Sequence, residues 1–115
     1  MPRVDSEFKK RVYDIVAQIP KGKLMSYGQV AAYCGAAWAA WEVGQIAHTG
    51  LSDLPWQRVV NKNGGLAAGY PGGLAGHKQA LEADGVKVDS DFKVNISGLI
   101  WQPIDKNQVS FLGNF

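Results

Sequence analysis

The sequence predicts a mainly α-helical domain with a small β-hairpin or sheet, an α+β fold built around a helix-turn-helix. Three observations predict it. The 115 residues fit one domain, and 46% of them are hydrophobic, which is ordinary for a folded globule. Apolar residues recur at helical spacing in the first half of the chain. Glycine-containing turns and a short alternating apolar and polar segment follow in the second half.

The first predicted element is an amphipathic helix over residues 5–19, which Asp5 or Ser6 can cap. Its apolar stripe consists of Phe8, Val12, Ile15, Val16 and Ile19. The segment Pro-Lys-Gly-Lys at 20–23 ends this helix and places two cations close together.

Two short helices then predict the helix-turn-helix. Ser26 and Gln29 match a capping box, so a helix is expected over 27–34, with Gly35 just past its end. A second helix is predicted over 38–48. Two such helices joined by a tight turn are typical of a motif whose second helix enters a DNA groove. Many other helical hairpins share this pattern.

The second half of the chain predicts mostly turns and one further helix. The expected order is a loop at 51–55, a strand at 57–61, a turn at 63–65, a glycine-rich loop at 66–73, a helix at 74–84, an edge hairpin at 92–96 that continues through Leu99 and Trp101, and a flexible tail at 103–115. We therefore expect one domain over residues 1–102, followed by the tail.

Composition excludes several classes of protein. A single cysteine, Cys34, excludes an intrachain disulfide framework and a cysteine-rich zinc site, so no metal or cofactor is expected. No secretory signal precedes residue 5, and the longest uncharged run, 24–41, is too polar for a membrane span. These features indicate a cytoplasmic protein with no membrane partner.

The net charge of +2 excludes a purely electrostatic nucleic-acid binder. The charge is unevenly distributed, however. Residues 1–62 carry 8 Lys/Arg and 5 Asp/Glu, whereas residues 63–115 carry 4 and 5. An anionic partner is therefore expected to prefer the first half of the chain.

Several sequence fragments occur in a characteristic order. They are Ile-Pro-Lys-Gly-Lys at 19–23, Ser-Tyr-Gly-Gln-Val-Ala at 26–31, Val-Gly at 43–44, Pro-Trp-Gln-Arg-Val-Val at 55–60, Gly-Gly-Leu at 64–66 and Tyr-Pro-Gly-Gly-Leu at 70–74. Together they resemble the DNA-binding domain of the O6-alkylguanine-DNA alkyltransferases over about residues 5–101. The resemblance implies a winged-helix-like helix-turn-helix domain of the alkyltransferase C-terminal type.

One motif departs from those enzymes at the reacting residues. Where the alkyltransferases have Pro-Cys-His-Arg, this chain has Trp56 and Gln57 in place of the nucleophilic cysteine and its histidine. An indole does not accept an alkyl group as a thiolate does, and an amide is no base near neutral pH. Asp84 matches the acid that orients the missing histidine. The chain is thus similar to the alkyltransferase-like proteins, which implies no catalytic residue and no enzyme activity.

This resemblance implies a function and partners. Alkyltransferase-like proteins bind O6-alkylguanine in double-stranded DNA by flipping the nucleotide, transfer no alkyl group, and flag the damage for nucleotide excision repair proteins. A monomer is expected. The alternative is a helix-turn-helix DNA-binding or protein-interaction module that has lost lesion recognition. A third hypothesis, residual transfer through Cys34, is disfavoured because a free cysteine usually packs in a core.

Two groups of site residues are predicted. The lesion pocket is expected to contain Tyr27, Trp56, Val59, Tyr70 and Gly72. Trp56 would form its floor, the main-chain carbonyls of Trp56 and Val59 would read guanine, and the glycine-rich loop would bend around the base. The DNA-binding residues are expected to be Ser26, Tyr27, Gln29, Trp41, Gly44 and Gln45.

The second helix departs most from the family. The resemblance places Trp41 where the family has an arginine that enters the base stack, and residues 38–48 contain no Lys or Arg. Trp41 either stacks as a wedge or forms a core or protein-contact stripe with Trp38, three residues away. Lys21, Lys23 and Lys62 can meet phosphates, whereas Arg58 is expected to pair within the domain. Weak, mildly salt-dependent DNA binding follows.

Overall fold

The computed structural model describes residues 5–49 and 53–103. The described elements are, in chain order, α1 (Ser6–Gln18), β1 (Met25–Ser26), α2 (Tyr27–Tyr33), α3 (Ala40–Thr49), a 3-10 turn (Trp56–Arg58), β2 (Val59–Val60), α4 (Gly73–Ala83) and α5 (Ile96–Leu99). The predicted fold class, mostly helical with a small sheet, is confirmed. Within these residues no helix is both long enough and apolar enough to cross a membrane.

Helix α1 forms where the periodicity predicts it. The side chain of Asp5 accepts a hydrogen bond from the backbone N–H of Phe8 at 3.1 Å, which caps the first turn. Phe8, Val12 and Val16 are buried along one face. The helix ends when Ile19 adopts an extended conformation.

The helix-turn-helix begins with a complete capping box. The N–H of Ser26 donates to Gln29 Oε1 at 2.9 Å, and the N–H of Gln29 donates to Ser26 Oγ at 3.1 Å. Gly35 follows α2 at a φ of +89°, which favours glycine. Helix α3 starts two residues later than predicted, because residues 36–39 form a tight turn closed by the N–H of Ala39 on Ala36 O.

The sheet differs from the predicted hairpin. Strands β1 and β2 pair in parallel, with Met25 opposite Val59 and Ser26 opposite Val60. A parallel pair needs a long crossover, which the helix-turn-helix supplies, so no tight turn can join the strands. The predicted strand at 57–61 is also shorter, because residues 56–58 form the 3-10 turn and only Val59–Val60 pair.

The predicted edge hairpin at 92–96 is wrong. Only Lys93 pairs there, in an isolated antiparallel bridge with Gly65. The side chain of Asn95 caps α5 by accepting from the N–H of Gly98, so the extended run ends and Leu99 is helical. Ile100 returns to extended backbone and forms an isolated parallel bridge with Leu24, and Trp101 donates its N–H to Leu24 O. Pro103 is buried. The rest of the predicted tail, and residues 51–52 of the predicted loop at 51–55, lie outside the described residues; residues 53–55 form a turn that leads into the 3-10 turn.

Two apolar clusters lie on either side of the short sheet. The first unites α1, α2 and α3 with Met25, Trp56 and Val59. The second joins Leu24 and Val60 to Leu66, Leu81, Val86 and Val94. Consecutive strand residues thus enter different clusters, as the period of two in a strand dictates. This double anchorage fixes the 3-10 turn relative to α3.

Candidate nucleic-acid interface

A cleft of about 830 Å³ opens between the helix-turn-helix and the glycine-rich loop. Helix α3 forms one wall, residues 67–71 form the other, and the 3-10 turn lies at the base. The lining residues are Tyr27, Ala40, Trp41, Gly44, Gln45, Ala47, His48, Trp56, Asn61, Ala67, Ala68, Gly69, Tyr70 and Pro71. Pockets that enclose small organic ligands fall in the range of about 300–1,000 Å³. The cleft is therefore large enough for a small planar organic ligand.

Trp56 forms the floor of this cleft. Its side chain is 7% exposed, and Tyr13 of α1 contacts it edge-on, with ring centroids 6.3 Å apart and planes at 72°. The backbone N–H of Trp56 donates to Leu54 O at 2.8 Å, at the start of the 3-10 turn. The indole is therefore fixed from behind and presents only a small part of its surface to the cleft.

Tyrosines stand on two sides of this floor. Tyr27 begins α2 and Tyr70 lies in the loop wall, and burial raises the pKa of both phenols. Both therefore remain neutral hydroxyl groups near neutral pH. Together with Trp56 they give the cleft an aromatic lining suited to a planar apolar ligand.

The cleft contains six of the predicted site residues: Tyr27, Trp41, Gly44, Gln45, Trp56 and Tyr70. Val59 is fully buried in β2 and does not line it. Gly72 precedes α4 at a φ of +84°, so it shapes the start of that helix and also lies outside the lining. The side chains of Ser26 and Gln29 are committed to their capping box.

The surface around the cleft carries little positive charge. Among the described residues, no Lys, Arg, Asp or Glu lines the cleft. A shallower depression of about 420 Å³ adjoins it at Tyr27, and Lys62 is the one cation among that depression's lining residues. Exposed aromatic surface is present instead, because Trp41 is 71% and Trp38 is 59% exposed. Trp41 lines the cleft, whereas Trp38 does not.

The residue after Trp56 is held by an acid. Gln57 Nε2 donates to Asp84 Oδ2 at 3.2 Å, and Arg58 donates to both carboxylate oxygens, with Nε 2.8 Å from Oδ2. The hydrogen bond from Arg58 is the main reason why the pKa of Asp84 is lowered. Arg58 Nη1 also donates to Ile19 O at 2.8 Å. Arg58 therefore pairs within the domain, as the sequence predicts, and Gln57 supplies no base.

Cys34 lies away from the cleft. It follows α2 with 1% of its surface exposed, packed in the first apolar cluster. Burial raises the pKa of its thiol to about 11. A thiol with that pKa is almost wholly protonated at pH 7, so it is a poor nucleophile. This agrees with the interpretation of Cys34 as a core residue.

Three residues of the site were not singled out by sequence reasoning. His48 and Asn61 line the cleft, and His77 lies fully buried behind it. The sequence contained one signal for His77: it is a polar residue on the apolar stripe of the predicted helix 74–84, which indicates a buried side chain with hydrogen-bond partners. In the part of the chain that the structure describes, no three His, Cys, Asp or Glu side chains form a group that could hold a metal ion.

Comparison with known families gives one clear match. Residues 7–86 match the family described as 6-O-methylguanine DNA methyltransferase, DNA binding domain. This span includes α1, the helix-turn-helix, the Trp56 motif and α4.

Two relatives and one solved structure are informative. The chain is 39% identical over 103 residues to the DNA base-flipping protein of Escherichia coli, covering 88% of this chain and 78% of that protein. It is 35% identical over 104 residues to alkyltransferase-like protein 1 of Schizosaccharomyces pombe, covering 84% and 96%. The crystal structure of S. pombe Atl1 with damaged DNA containing O6-carboxymethylguanine superposes with a TM-score of 0.78 at 32% identity, covering 88% of this chain and all of that one.

Proposed function

The chain belongs to the family of the 6-O-methylguanine DNA methyltransferase DNA-binding domain, with alkyltransferase-like proteins among its relatives, and we propose that it is a non-enzymatic sensor of O6-alkylguanine in double-stranded DNA. It flips the damaged nucleotide into the cleft between α3 and residues 67–71 and holds it there without alkyl transfer. The observation that carries this proposal is the aromatic cleft whose floor is Trp56, at the position of the family's nucleophile.

The absence of transfer follows from the chemistry of the groups nearest the base. Trp56 has no acidic proton whose loss would generate a nucleophile, and Gln57 is an amide that donates to Asp84. Cys34 is buried in the core between the helices, with a thiol pKa of about 11. An alkyl group on a base in the cleft therefore meets no thiolate.

Binding rests on aromatic contacts. The three rings of Tyr27, Trp56 and Tyr70 surround a space without charged side chains. A nucleobase with an added O6 substituent is flat and less polar than guanine, so it exchanges water for ring contact at little cost in polar desolvation. Contact between one base and one aromatic side chain is worth roughly 1–3 kcal/mol.

The DNA strand itself meets the start of α2. Tyr27 belongs to both the cleft and the adjoining depression that Lys62 lines, so it stands between the base and its backbone. The first N–H groups of a helix lack intrahelical acceptors and suit a phosphate. The backbone N–H groups and the side chains of Ser26 and Gln29 are all engaged in the capping box, so these two residues act in DNA binding by fixing Tyr27 at the start of the helix.

The vacated place in the base stack is filled by Trp41. Its indole is 71% exposed at the mouth of the cleft, on a helix without Lys or Arg. Gly44 and Gln45 lie beside it in the same lining. Apolar wedges of this kind stabilise unstacked base steps in other DNA complexes. Trp41 supplies stacking where a basic residue would supply stacking and charge.

The test is a paired binding measurement. The affinities for a duplex with one O6-methylguanine and for the matched undamaged duplex are compared by fluorescence anisotropy of labelled DNA. We expect preference for the lesion, and a loss of about fivefold to a hundredfold of that preference in Trp56→Ala, the equivalent of one base–aromatic contact. Trp56→Phe should keep most of it.

Trp38→Ala is the matched control, because Trp38 is exposed but does not line the cleft. It should leave the lesion preference unchanged. Equal affinity of the wild-type protein for both duplexes would contradict the proposal. That result would favour the second candidate, a helix-turn-helix module that contacts DNA or protein. The exposed indole of Trp38, which lies outside the cleft, supports this candidate. A mass gain of one methyl group after incubation with the lesion would refute the absence of transfer.

A role in signalling to nucleotide excision repair is part of the proposal and rests on the family resemblance alone. Deletion of the gene should then sensitise cells to an alkylating agent only when excision repair is intact. Equal sensitisation in excision-deficient cells would contradict this role, while leaving lesion binding to be judged by the anisotropy measurement.

A further inference from the structure

His77 joins two sides of the cleft without entering it. Its Nε2 lies 2.9 Å from the carbonyl oxygen of Gln57, in the 3-10 turn that carries Trp56. Its Nδ1 accepts the backbone N–H of Ala67, also at 2.9 Å, where the loop wall 67–71 begins. The imidazole is fully buried. One side chain of α4 therefore connects the 3-10 turn at the floor of the cleft to the loop wall 67–71.

Tyr70 adds a third contact. Its ring stacks on the imidazole, with centroids 4.7 Å apart and planes at 16°. Tyr70 lines the cleft, whereas His77 does not. The face that Tyr70 offers to a bound base is thus set by the ring behind it.

These contacts permit only one state of the imidazole. A carbonyl oxygen can only accept and a backbone N–H can only donate, so Nε2 must carry the proton and Nδ1 must be bare. A second proton at Nδ1 would point at the N–H of Ala67 and bury a charge. Burial accordingly lowers the pKa of His77 below its usual 6.5.

We infer that neutral His77 is the positioning residue that holds the 67–71 wall and Tyr70 against the Trp56 floor, and that lesion recognition requires this one tautomer. The inference rests on the proposed function for its DNA readout. Protonation of His77 releases Ala67, whose carbonyl oxygen accepts the N–H of Tyr70 at 3.1 Å. Tyr70 therefore moves with Ala67, and the cleft loses its aromatic wall. Contact of the protein with undamaged DNA does not need that wall and persists.

No other ionisable group on the described elements around His77 connects the 3-10 turn to the loop wall. They are Tyr70 in the loop, Arg58 in the 3-10 turn, Lys78 and Glu82 on α4, Asp84 just after α4, and Glu42 and His48 on α3. Asp84 is paired with Arg58, and Lys78 lies over the ring of Phe92. His48 is the other of the two histidines in the chain, and its side chain is exposed. The pH test must therefore separate His48 from His77.

The first experiment needs no DNA. Long-range ¹H–¹⁵N spectra of the wild-type protein report the tautomer and the titration of both imidazoles. We expect His77 as the Nε2–H tautomer, a titration midpoint below 6.5, and an amide of Ala67 that is protected from exchange until that midpoint is passed. An Nδ1–H tautomer, or an Ala67 amide that exchanges freely at pH 7, overturns the inference.

The second experiment measures the ratio of affinities for O6-methylguanine and undamaged duplexes. His77→Gln keeps one donor and one acceptor, whereas His77→Phe keeps only the ring. We expect the ratio to fall about tenfold in His77→Phe, because a buried N–H and a buried carbonyl lose their partner, and to stay within about threefold of wild type in His77→Gln. Equal ratios in all three proteins overturn the inference.

A pH profile of the same ratio completes the test. At pH values below 6.5, the affinity ratio should decrease in wild type and in His48→Gln. No such decrease is expected in His77→Gln. A step that disappears in His48→Gln instead assigns the effect to the exposed histidine and overturns the inference. If wild type shows no lesion preference at any pH, the proposed function fails, and the Ala67 exchange measurement still decides whether His77 holds the wall.

Discussion

The salt dependence of lesion binding follows from the scarcity of cations around the cleft. Of residues 5–49 and 53–103, no Lys or Arg lines the cleft, and Lys62 lines the adjoining depression. Lys21 and Lys23 in the turn after α1 bring the number of candidate phosphate contacts to three. Each neutralised phosphate contributes a slope of about −0.9 in a plot of log affinity against log salt. One to three contacts therefore give slopes between about −0.9 and −2.7.

These slopes translate into a measurable loss. Raising KCl from about 50 to 200 mM should weaken binding of an O6-methylguanine duplex by between about threefold and about fortyfold, whereas six contacts would cost about a thousandfold. Fluorescence anisotropy at four or five salt concentrations gives the slope directly. Lys62→Gln should make it shallower by about 0.9. Lys10→Gln, an exposed lysine on α1 that lines neither depression, should leave it unchanged.

A slope steeper than about −5 would refute this reasoning, since it requires more than five phosphate contacts. An unchanged slope in Lys62→Gln would show that Lys62 does not contact a phosphate. The expectation of three or fewer phosphate contacts in total would still stand.

Four further outcomes are expected. Trp41→Arg should tighten binding to the lesion duplex and steepen the salt slope by up to about 0.9; weaker binding would show that indole stacking outweighs charge. Arg58→Met should lower the free energy of unfolding in urea by about 3 kcal/mol, because it removes the cation from the carboxylate of Asp84, which is only 8% exposed and keeps just the hydrogen bond from Gln57; a loss under about 1 kcal/mol would contradict a structural pair. The pKa of Asp84 is lowered on folding, so its contribution to stability is present above the unfolded value of about 3.9 and is lost as pH falls through the folded value, and Asp84→Asn should remove this acid dependence from thermal melts. Cys34, with a thiol pKa of about 11, should react with iodoacetamide far more slowly at pH 8 in the native protein than in urea, and equal rates would show that the thiol is accessible.

Local signals in the sequence predict the helices well. The stripe of apolar residues and the cap at Asp5 define α1 to within one residue, and Ser26 with Gln29 defines the start of α2. These features depend on residues three or four apart, which are close in any helix. The residue types in the Trp56 motif likewise predict, without a structure, that the nucleophile and base of the alkyltransferase motif are missing.

Pairing between distant segments is harder to predict. β1 and β2 are two residues each, too short for any periodicity, and their parallel register depends on the crossover through α2 and α3. The alternation at 92–96 resembled a strand, but the cap made by Asn95 ended it. The role of His77 depends on two backbone groups that are ten and twenty residues away in sequence. No local pattern identifies such partners.

The hydrogen bonds of Asp84 bear on how this scaffold could change its chemistry. The acid is held mainly by Arg58, and its contact with residue 57 is the longer one, at 3.2 Å against 2.8 Å. Its place therefore does not depend on a histidine at position 57. A change to the alkyltransferase residues is unequal in difficulty at the two positions. In Gln57→His, Asp84 is already in place to accept a hydrogen bond from the new histidine. Trp56→Cys, in contrast, would open a cavity beside Tyr13. Truncation of a buried tryptophan costs about 3–5 kcal/mol of stability. An engineered return to alkyl transfer would have to refill that space first.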